Sequence, residues 1–459
     1  MQEHLPDVWR TIRYSIHLEF IYRIQGPTFR LYYNKLNMRI VKWVKKSDFV
    51  LNVFKLITGT ALGQLITLLV SPILTRLYTS NDFGILAVYF SIASILSVVI
   101  TLRLDMAILL PADEEKAIDL VILGLFVSFS LSCFLFVIFL IFHQDIIRVI
   151  GHAELGFYLY LVPLSTFFYG SYQVLNYWDS RIKEFNQLAI SKTMKELGTA
   201  ITQLGMGIIQ SGALGLISGQ ISGNAIATGY LFIKAINQMS RRLIKGLWRN
   251  LISVFQQYKK FPLFTSWASL VSAISQNIPA ILLAVLYSPA TAGYFAVASR
   301  VLTVPSILIG NSVRQVYFQE ASSLKIRNEK LMPIFKKTTL SLVYIAIIPI
   351  VIVILWGEPL FKIVFGSSWG EAGLFASILS IWLFFSFINP PTNTNFLILE
   401  LNRLQLILEF VILLFRIIAI LLGYLIYNNV FLSLIFFSGA GALYQISLIV
   451  YMYFKLKES

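Results

Sequence analysis

A short pattern of residues occurs twice in this chain, and the two copies lie 209 positions apart. The first copy is Leu77, Tyr78, Gly84, Ala87 and Val88, and the second is Leu286, Tyr287, Gly293, Ala296 and Val297. A Tyr and a Gly held at one spacing and one offset indicate an internal duplication. Many secondary transporters are built from repeated halves, with the substrate site at their interface and access alternating between the two sides. The repeat therefore predicts a duplicated membrane protein, and it makes transport the first functional hypothesis.

The composition places the chain in a lipid bilayer. Hydrophobic residues make up 57% of the 459 residues, charged residues make up 13%, and the mean hydropathy is +0.75. Runs of about 20 apolar residues, the length that crosses a hydrocarbon core about 30 Å thick, number twelve. They cover residues 50–74, 83–104, 118–142, 155–176, 188–210, 213–236, 261–286, 292–313, 338–356, 371–397, 404–427 and 429–454. The fifth run is the least secure span, because Lys192, Lys195 and Glu196 lie near its start.

The distribution of basic residues predicts the orientation. With both termini in the cytoplasm, all but six of the 37 Lys and Arg residues fall in cytoplasmic segments. Three of the six lie in outer loops and three lie inside spans: Arg76, Arg148 and Lys362, then Lys55, Arg300 and Arg416. This bias is the positive-inside rule. The formal charge of +15 is explained by that rule and by attraction to anionic lipid headgroups, and it needs no nucleic-acid partner.

An offset of 209 over six spans corresponds to about 35 residues per helix and loop. Since six is even, the two halves run in the same direction and are expected to be related by an axis along the membrane normal. We therefore predict an all-α polytopic membrane protein with about 12 transmembrane helices in two six-helix lobes. The predicted domains are a basic cytoplasmic N-terminal arm (1–47), an N-terminal lobe (48–237), a cytoplasmic amphipathic linker helix (238–260) and a C-terminal lobe (261–459).

The two segments outside the lobes carry their own predictions. In residues 241–260 an apolar stripe and a set of cations occupy different helical faces, which predicts a helix lying at the membrane surface. The alternative is a solvated basic linker. The N-terminal arm is expected to lie on the membrane surface as well. Met38 offers a second start just before the first span, so residues 1–37 are expected to be unnecessary for function.

Several classes of chemistry lack their motifs. Cys133 is the single cysteine, so no intrachain disulfide and no CxxC motif is possible, and the four histidines form no metal-ligand pattern. There is no Walker-type loop, which argues against direct nucleotide hydrolysis. The outer loops are short, the longest being about 357–370, and they leave no room for a catalytic domain outside the membrane. Trp356 and Trp369 in that loop are expected to lie in the aromatic belt at the membrane interface, and the alternative for them is stacking against sugars.

A series of short motifs resembles one known family. They are Gly63-Gln64, Leu77-Tyr78 to Gly84, Arg103-Leu104-Asp105-Met106-Ala107-Ile108 to Pro111, Asn176-Tyr177-Trp178, Ala189-Ile190-Ser191-Lys192, the glycines from Gly212 to Gly223, Phe261-Pro262-Leu263, Pro279, Gly293-Tyr294-Phe295-Ala296, Arg300 and Pro305. In this order and spacing they resemble the bacterial polysaccharide repeat-unit flippases of O-antigen type, within the multidrug, oligosaccharidyl-lipid and polysaccharide (MOP) exporter superfamily. The likeness covers about residues 48–455.

The resemblance implies a MATE-like fold and a function without enzymatic chemistry, cofactor or metal. It implies that an undecaprenyl-diphosphate-linked oligosaccharide moves from the inner to the outer leaflet of the bacterial plasma membrane by alternating access. The expected partners are this substrate, anionic membrane lipids, and the polymerase and glycosyltransferases of a polysaccharide pathway. The identity of the sugars does not follow from the resemblance.

Cations within the spans are the candidates for contacting a diphosphate. Buried charge is heavily penalised in a membrane, and intramembrane ionisable residues usually face a cavity. Arg300 is the first candidate and Arg416 the second, because a guanidinium can bind phosphate oxygens in a bidentate manner. A structural ion pair or polar clasp is the alternative for both, and Glu409 lies on the same face as Arg416. Lys55 is the third candidate, although it is placed to extend its amine to the inner membrane boundary.

Coupling to an ion gradient is expected, since no nucleotide-binding loop is present. The carboxylates at membrane depth that can carry a proton or hold a cation are Asp105, Glu196 and Glu409. Asp105 can instead neutralise a neighbouring base near the inner boundary.

Three other functions compete with this hypothesis. The first is a MATE-type multidrug or cation antiporter of the same superfamily. Buried acidic residues without arginines in the middle of the spans would favour it, whereas this chain has arginines there and few acidic residues. A membrane polysaccharide polymerase or ligase would need a large outer loop. A purely structural membrane protein has no use for costly intramembrane arginines.

Overall fold

A computed structural model describes residues 48–239 and 247–458, which form helices joined by short turns. The helices are α1 (Asp48–Leu77), α2 (Ser80–Ile100), α3 (Leu104–Ala107), α4 (Glu114–Ile141), α5 (His143–Ile150), α6 (Gly156–Leu159), α7 (Val162–Arg181), α8 (Phe185–Ile208), α9 (Ala213–Met239), α10 (Leu247–Tyr258), α11 (Ser266–Leu286), α12 (Pro289–Ile326), α13 (Met332–Phe365), α14 (Gly370–Phe387), α15 (Pro390–Ile398), α16 (Asn402–Tyr427) and α17 (Val430–Glu458). Short 3₁₀ segments lie at Ala153–Leu155 and Ser367–Trp369, and a π turn lies at Phe261–Thr265. The predicted N-terminal arm and the start of the predicted linker lie outside the described residues.

The membrane fold predicted from the sequence is confirmed. Twelve long helical segments follow the twelve apolar runs in order, with α14 and α15 together matching the tenth. Within the described part of the chain, eight of these segments are long and apolar enough to cross a membrane. In the first lobe, α7, α8 and α9 carry more polar residues, and α1 has a shorter apolar stretch over Ala61–Leu77. The number of twelve membrane spans therefore stays a prediction.

The helices pack as two groups that meet along α2. In the first group α8 packs against α1 and α9, and α7 packs against α4 and α9. In the second group α14 packs against α13, α12 and α17, and α16 packs against α17. The groups meet where α2 packs against α11 and α12. The largest apolar core extends across that junction and includes Val88 from the first group and Leu283 and Phe375 from the second.

The sequence repeat corresponds to a repeated helix junction. Leu77 and Leu286, which match in the repeat, are the last residues of α1 and α11. Thr79 and Ser288, which also match, cap the N-termini of α2 and α12 with their side-chain oxygens. A hydroxyl or acid at this position satisfies amide groups that the first helical turn leaves without partners.

The repeated tyrosine has the same role in both copies. Tyr78 donates a hydrogen bond to the carbonyl oxygen of Gln203 at 2.6 Å, which ties the α1–α2 junction to α8. The Tyr287 hydroxyl lies 2.7 Å from Ser433 Oγ, which ties the α11–α12 junction to α17. Each junction is therefore anchored to a late helix of its own group.

The repeated glycine explains how closely the two groups approach. A Cβ atom at Gly84 would overlap the carbonyl oxygen of Pro289, and one at Gly293 would overlap the carbonyl oxygen of Ser80. The starts of α2 and α12 therefore cross backbone against backbone, each through the glycine of its own copy. We call this end of the bundle, where α1 ends and α2 begins, the α1–α2 end.

Hydrogen bonds also join the two groups at the α1–α2 end. Thr75 Oγ1 donates to the carbonyl oxygen of Phe365 at 2.9 Å, and Trp369 Nε1 donates to the carbonyl oxygen of Thr75 at 2.8 Å. A ring nitrogen of His152 lies 2.8 Å from the carbonyl oxygen of Ala284. Phe83 packs edge-on against Trp369, with ring centroids 5.1 Å apart. These contacts hold the groups together at this end.

The prediction for Trp369 was wrong. Its side chain is 1% exposed and joins the two groups, whereas an interfacial-belt residue would face lipid headgroups. Trp356 is 54% exposed, as a belt residue would be. The loop predicted around 357–370 is also mostly helical, because α13 continues to Phe365 past a kink at Trp356. Gly357 and Gly373 let this extension pack closely against α14.

Two other apolar runs are interrupted. The second predicted span continued to residue 104, but α2 ends at Ile100, and Leu102 and Arg103 adopt left-handed backbone conformations before α3 begins. The tenth run is split at Asn389, because Pro390 and Pro391 have no amide hydrogen to continue α14.

The linker helix α10 lies against the first group. Leu251 and Val254 are 3% and 4% exposed and pack into the cores formed by α3, α4, α7 and α9. Ile252 and Phe255 on its other side are 59% and 37% exposed. A short helix with one apolar side on the protein and further apolar residues outside suits the boundary of a bilayer.

Candidate substrate site

Charged and polar side chains from three helices meet in the middle of the bundle. Thr67 of α1 donates a hydrogen bond from Oγ1 to Glu196 Oε2 of α8 at 2.9 Å. Gly63, one turn earlier on α1, leaves room for this carboxylate, since a Cβ there would lie 3.0 Å from Glu196 Cγ. The Glu196 carboxylate also acts electrostatically on Lys195 beside it and on Arg300 of α12. Residues of both groups therefore share one site, which we call the central cluster: Thr67, Lys192, Lys195, Glu196 and Arg300.

The charged members lie at similar depths. Arg300 is eleven residues from the start of α12, which is about 16 Å at 1.5 Å per residue. Lys195 is ten residues from the start of α8, about 15 Å from the opposite end. Both side chains are half-buried. A half-buried cation about halfway across a hydrocarbon core about 30 Å thick requires water, a counter-ion or a ligand on its accessible side.

Aromatic rings support the lysine of the cluster. Lys195 Nζ lies 5.7 Å from the ring centroid of Tyr169 and 5.5 Å from that of Tyr172, both on α7. Cations within about 6 Å of an aromatic face are attracted by its quadrupole. Gln173 Nε2 donates to the Tyr169 hydroxyl at 3.0 Å, so the polar surface continues along α7.

The cluster carries more positive than negative charge. Lys192 lies close enough to Lys195 for the two amines to repel each other. Glu196 is the one acid in the cluster and acts on two cations, Lys195 and Arg300, so these three charges leave one positive unit in excess. Because each extra cation is costly in a membrane, the arrangement suits an anionic ligand better than a cationic one.

The structure places Arg416 elsewhere. It is 8% exposed, and its guanidinium carbon lies 4.5 Å from the ring centroid of Trp382 and 5.4 Å from that of Phe437. Glu409 on the same helix is half-buried and accepts from Gln405 at 3.5 Å. Both residues therefore contact helices of the second group rather than the central cluster.

Asp105 and Lys55 also lie apart from the cluster. Asp105 is 1% exposed on α3, at the end opposite to the α1–α2 end, and accepts a hydrogen bond from Thr101 Oγ1 at 2.7 Å. Lys55 lies on α1, and its side chain falls outside the described residues. Of the predicted site residues, Arg300 and Glu196 are brought together.

Sequence reasoning missed Lys192 and Lys195 as candidates for binding. In the sequence both residues weaken the fifth predicted span, whereas in the structure α8 begins at Phe185 and places them two to three turns inside the helix. The signal was present, because Lys192, Lys195 and Glu196 are spaced so that they share one side of a helix. Their relation to Arg300 depends on how α8 and α12 face each other, which the spacing does not specify.

The fold is similar to that of several solved membrane transporters. An inward-facing multidrug-resistance MATE family transporter of the MOP superfamily superposes with a TM-score of 0.69, covering 86% of this chain and 95% of that one at 12% identity. The lipid II flippase MurJ in an inward closed conformation gives 0.68, covering 89% and 90% at 14% identity. A MOP superfamily transporter from Pyrococcus furiosus gives 0.58, covering 88% and 95% at 14% identity. At these identities the likeness concerns the fold.

Sequence similarity identifies the family of this chain. Residues 73–373, more than half of the chain, match the model of the family described as polysaccharide biosynthesis protein, and the chain belongs to that family. The capsular polysaccharide biosynthesis protein CapF of Staphylococcus aureus is 29% identical over 146 residues. That alignment spans 31% of this chain and about a third of CapF, 36% of its length. The chain is thus a multi-pass membrane protein of polysaccharide biosynthesis with a transporter fold.

Proposed function

We propose that this protein is a flippase that moves undecaprenyl-diphosphate-linked polysaccharide repeat units across the bacterial plasma membrane. The central cluster is the observation that carries the proposal. A diphosphate is the part of such a lipid that hydrocarbon excludes most strongly, and Arg300 and Lys195 offer it cations from both groups of helices at the middle of the bundle. The substrate leaves chemically unchanged, so no catalytic group is required.

Each cation has a distinct role in this proposal. Arg300 binds two phosphate oxygens with its planar fork of donors, which also fixes the orientation of the diphosphate. Lys195 adds a point charge that Tyr169 and Tyr172 hold in place. The sugars then extend along the polar side of α7, where Gln173 and Tyr169 offer hydrogen-bonding groups.

Glu196 is the carboxylate best placed to couple transport to an ion gradient. It is the only one of the three candidates that acts on both Lys195 and Arg300. A coupling ion held by Glu196 would leave these cations available to the diphosphate, and departure of that ion would favour release of the anion. Asp105 and Glu409 stay candidates with no contact to the cluster among the described residues.

Alternating access has a structural basis in the α1–α2 end. The crossing of Gly84 and Gly293 and the hydrogen bonds of Thr75 hold the two groups together at this end, and in this proposal the substrate enters the cluster from the opposite one. Separating α2 from α11 and α12 would expose the cluster to the other side. The repeated junctions, each anchored to its own group by a tyrosine, allow the groups to rock as units.

The second candidate function is a MATE-type antiporter for cationic drugs, which the fold equally allows. The excess of positive charge in the central cluster disfavours it, because a cationic substrate would be repelled.

Reconstitution in vesicles tests the function. Purified protein should make an undecaprenyl-diphosphate oligosaccharide in the inner leaflet accessible to a membrane-impermeant sugar-oxidising reagent, faster than in protein-free vesicles. A vesicle containing Arg300→Ala at equal protein content is the matched control. Export of a cationic dye, with no movement of the lipid under proton or sodium gradients of either sign, would support the antiporter instead.

We also propose that both termini and α10 face the cytoplasm and the α1–α2 end faces outward. After replacement of Cys133, Asn250→Cys in α10 should react with an impermeant maleimide only after spheroplasts are lysed. Ile363→Cys, whose native side chain is 74% exposed near the α1–α2 end, should react in intact spheroplasts. Labelling of position 250 before lysis would contradict the orientation.

A further inference from the structure

One buried acid takes no part in the proposed transport site. Asp179 lies in the last turn of α7, beyond residue 176 where the predicted span ends and at the end opposite to the α1–α2 end. Its side chain is 0% exposed. Neither carboxylate oxygen has a hydrogen-bond donor among the described residues. Asp105 at the same end differs, because Thr101 donates to it.

The cation nearest in sequence does not neutralise Asp179. Arg181 donates from one nitrogen to the carbonyl oxygen of Ile108 at 2.9 Å and from the other to that of Pro111 at 2.6 Å. It therefore clamps the segment between α3 and α4. The C-terminal end of α7 also carries partial negative charge from its unpaired carbonyl groups. This partial charge disfavours the ionised form of the Asp179 carboxyl group.

The groups that surround Asp179 oppose its ionisation. Glu184, in the turn between α7 and α8, acts on it as a like charge. From α9, Tyr230 lies within electrostatic range of both carboxyl groups, and Lys234 Nζ lies 5.9 Å from the Tyr230 ring centroid. Lys183 in the turn is exposed to solvent. Burial, followed by Glu184, raises the pKa of Asp179 to about 7.

From this geometry we propose that Asp179 is a proton-binding site, whose carboxylate takes up one proton from the solvent at this end and becomes a neutral carboxylic acid. A carboxylate with no donor and no exposed surface must bind a proton or a cation, or else bear the full cost of buried charge. The second acid, Glu184, makes the protonated form favourable. The inference does not depend on the identity of the transported substrate.

The site is built into the turn that leads to the central cluster. The amide of Glu184 donates to the carbonyl oxygen of Asp179 at 2.9 Å, and the amide of Lys183 donates to that of Ser180 at 3.3 Å. This turn begins α8, the helix that carries Lys192 and Lys195. Loss of the proton would place two carboxylates side by side and draw water into the turn, which would loosen the start of α8.

Infrared difference spectroscopy of the purified protein in detergent tests the proposal directly. Between pH 6 and pH 8.5 the wild type should lose the carbonyl stretch of one protonated carboxyl group, and Asp179→Asn should lack that change. Glu184→Gln should move the transition to lower pH, because the like charge is gone. Asp145→Asn, an exposed acid paired with Arg148, is the matched control and should keep the wild-type change.

Thermal unfolding gives a second test, because the proposal fixes the direction in which stability changes with pH. The folded-state pKa of Asp179 is raised from an unfolded value of about 4, so the protonated form stabilises the protein at low pH. As the pH rises from about 4 to about 7, this stabilisation is lost. The folding equilibrium constant falls by up to tenfold for each pH unit in this range and is constant above it. Asp179→Asn should remove this slope and unfold at a higher temperature than the wild type at pH 8.

Two results would overturn the proposal. An infrared change that persists in Asp179→Asn would assign the proton to another group. A wild-type change that disappears when sodium replaces choline at constant ionic strength would assign the site to a metal cation. Neither result would alter the outcome of the vesicle assay, so failure here is distinguishable from failure of the proposed function.

Discussion

Arg300→Ala is expected to abolish export of the polysaccharide while leaving the protein inserted in the membrane. The guanidinium lies half-buried in the first third of α12 and donates no hydrogen bond to another described residue, so its removal deprives the fold of little. Each hydrogen bond to a charged group contributes about 1.5–3 kcal/mol. Loss of the bidentate contact removes two such bonds, about 3–6 kcal/mol together, and should lower the affinity for the diphosphate by about 100-fold or more, since every 1.4 kcal/mol is tenfold.

Conservative and control variants separate binding from folding. Arg300→Lys keeps the charge but loses the fork of donors, so it should retain partial transport. Lys195→Ala should weaken transport from the other side of the cluster. Arg314→Ala, an exposed residue further along the same helix, should behave like the wild type. The readouts are surface polysaccharide and the amount of protein in the membrane.

A normal amount of surface polysaccharide with Arg300→Ala at wild-type abundance would remove Arg300 from the substrate site. Arg416 would then become the leading candidate. A low membrane abundance of the alanine variant would instead indicate that Arg300 holds α12 in place, which is a structural role.

Much of the fold could be predicted from the sequence because membranes restrict the choices. A long apolar run in a bilayer must form a helix, since no water is available for unpaired backbone groups. The sequence repeat also predicted equivalent positions in the two groups. Leu77 and Leu286 end matching helices, and Gly84 and Gly293 occupy matching positions where α2 and α12 cross. Only a glycine fits where two backbones touch, so its return at a fixed spacing carried structural information.

The interruptions were harder to predict. The predicted second span includes residues 101–104, yet the chain turns there through two left-handed residues, Leu102 and Arg103. Trp369 resembles an interfacial residue in sequence and is instead buried between the two groups of helices. Both outcomes depend on contacts with distant segments, which local patterns do not encode.

The site was predictable only in part. Arg300 was found because a lone arginine in an apolar run is conspicuous. Lys195 was overlooked, since its ring contacts with Tyr169 and Tyr172 come from a different helix. Asp179 lies just past a span, where an acid is ordinary in sequence. Its complete burial and its lack of donors become visible only when α9 and the turn before α8 are in place.

Gly84→Ala is expected to shift the protein away from the state in which the α1–α2 end is closed. The added Cβ would overlap the backbone carbonyl of Pro289, which cannot turn aside as a side chain could. Overpacking of this kind typically costs about 1–3 kcal/mol. At 1.4 kcal/mol per factor of ten, the closed state should lose about 5- to 150-fold in population relative to the open one. Gly293→Ala, the matching position in the second copy, should have the same effect through Ser80.

Cysteine accessibility measures the shift. Ala87 lies one turn after Gly84 and is 8% exposed, so Ala87→Cys, with Cys133 replaced, should react slowly with an impermeant maleimide. Adding Gly84→Ala should raise the labelling rate by at least about fivefold and reduce transport. Gly229→Ala and Gly439→Ala are matched controls, because a Cβ at either position meets no atom within 4 Å. They should leave labelling and transport unchanged. If Gly84→Ala also leaves both unchanged, the glycine crossing does not control opening of this end, and the hydrogen bonds of Thr75 with Phe365 and Trp369 become the contacts to break.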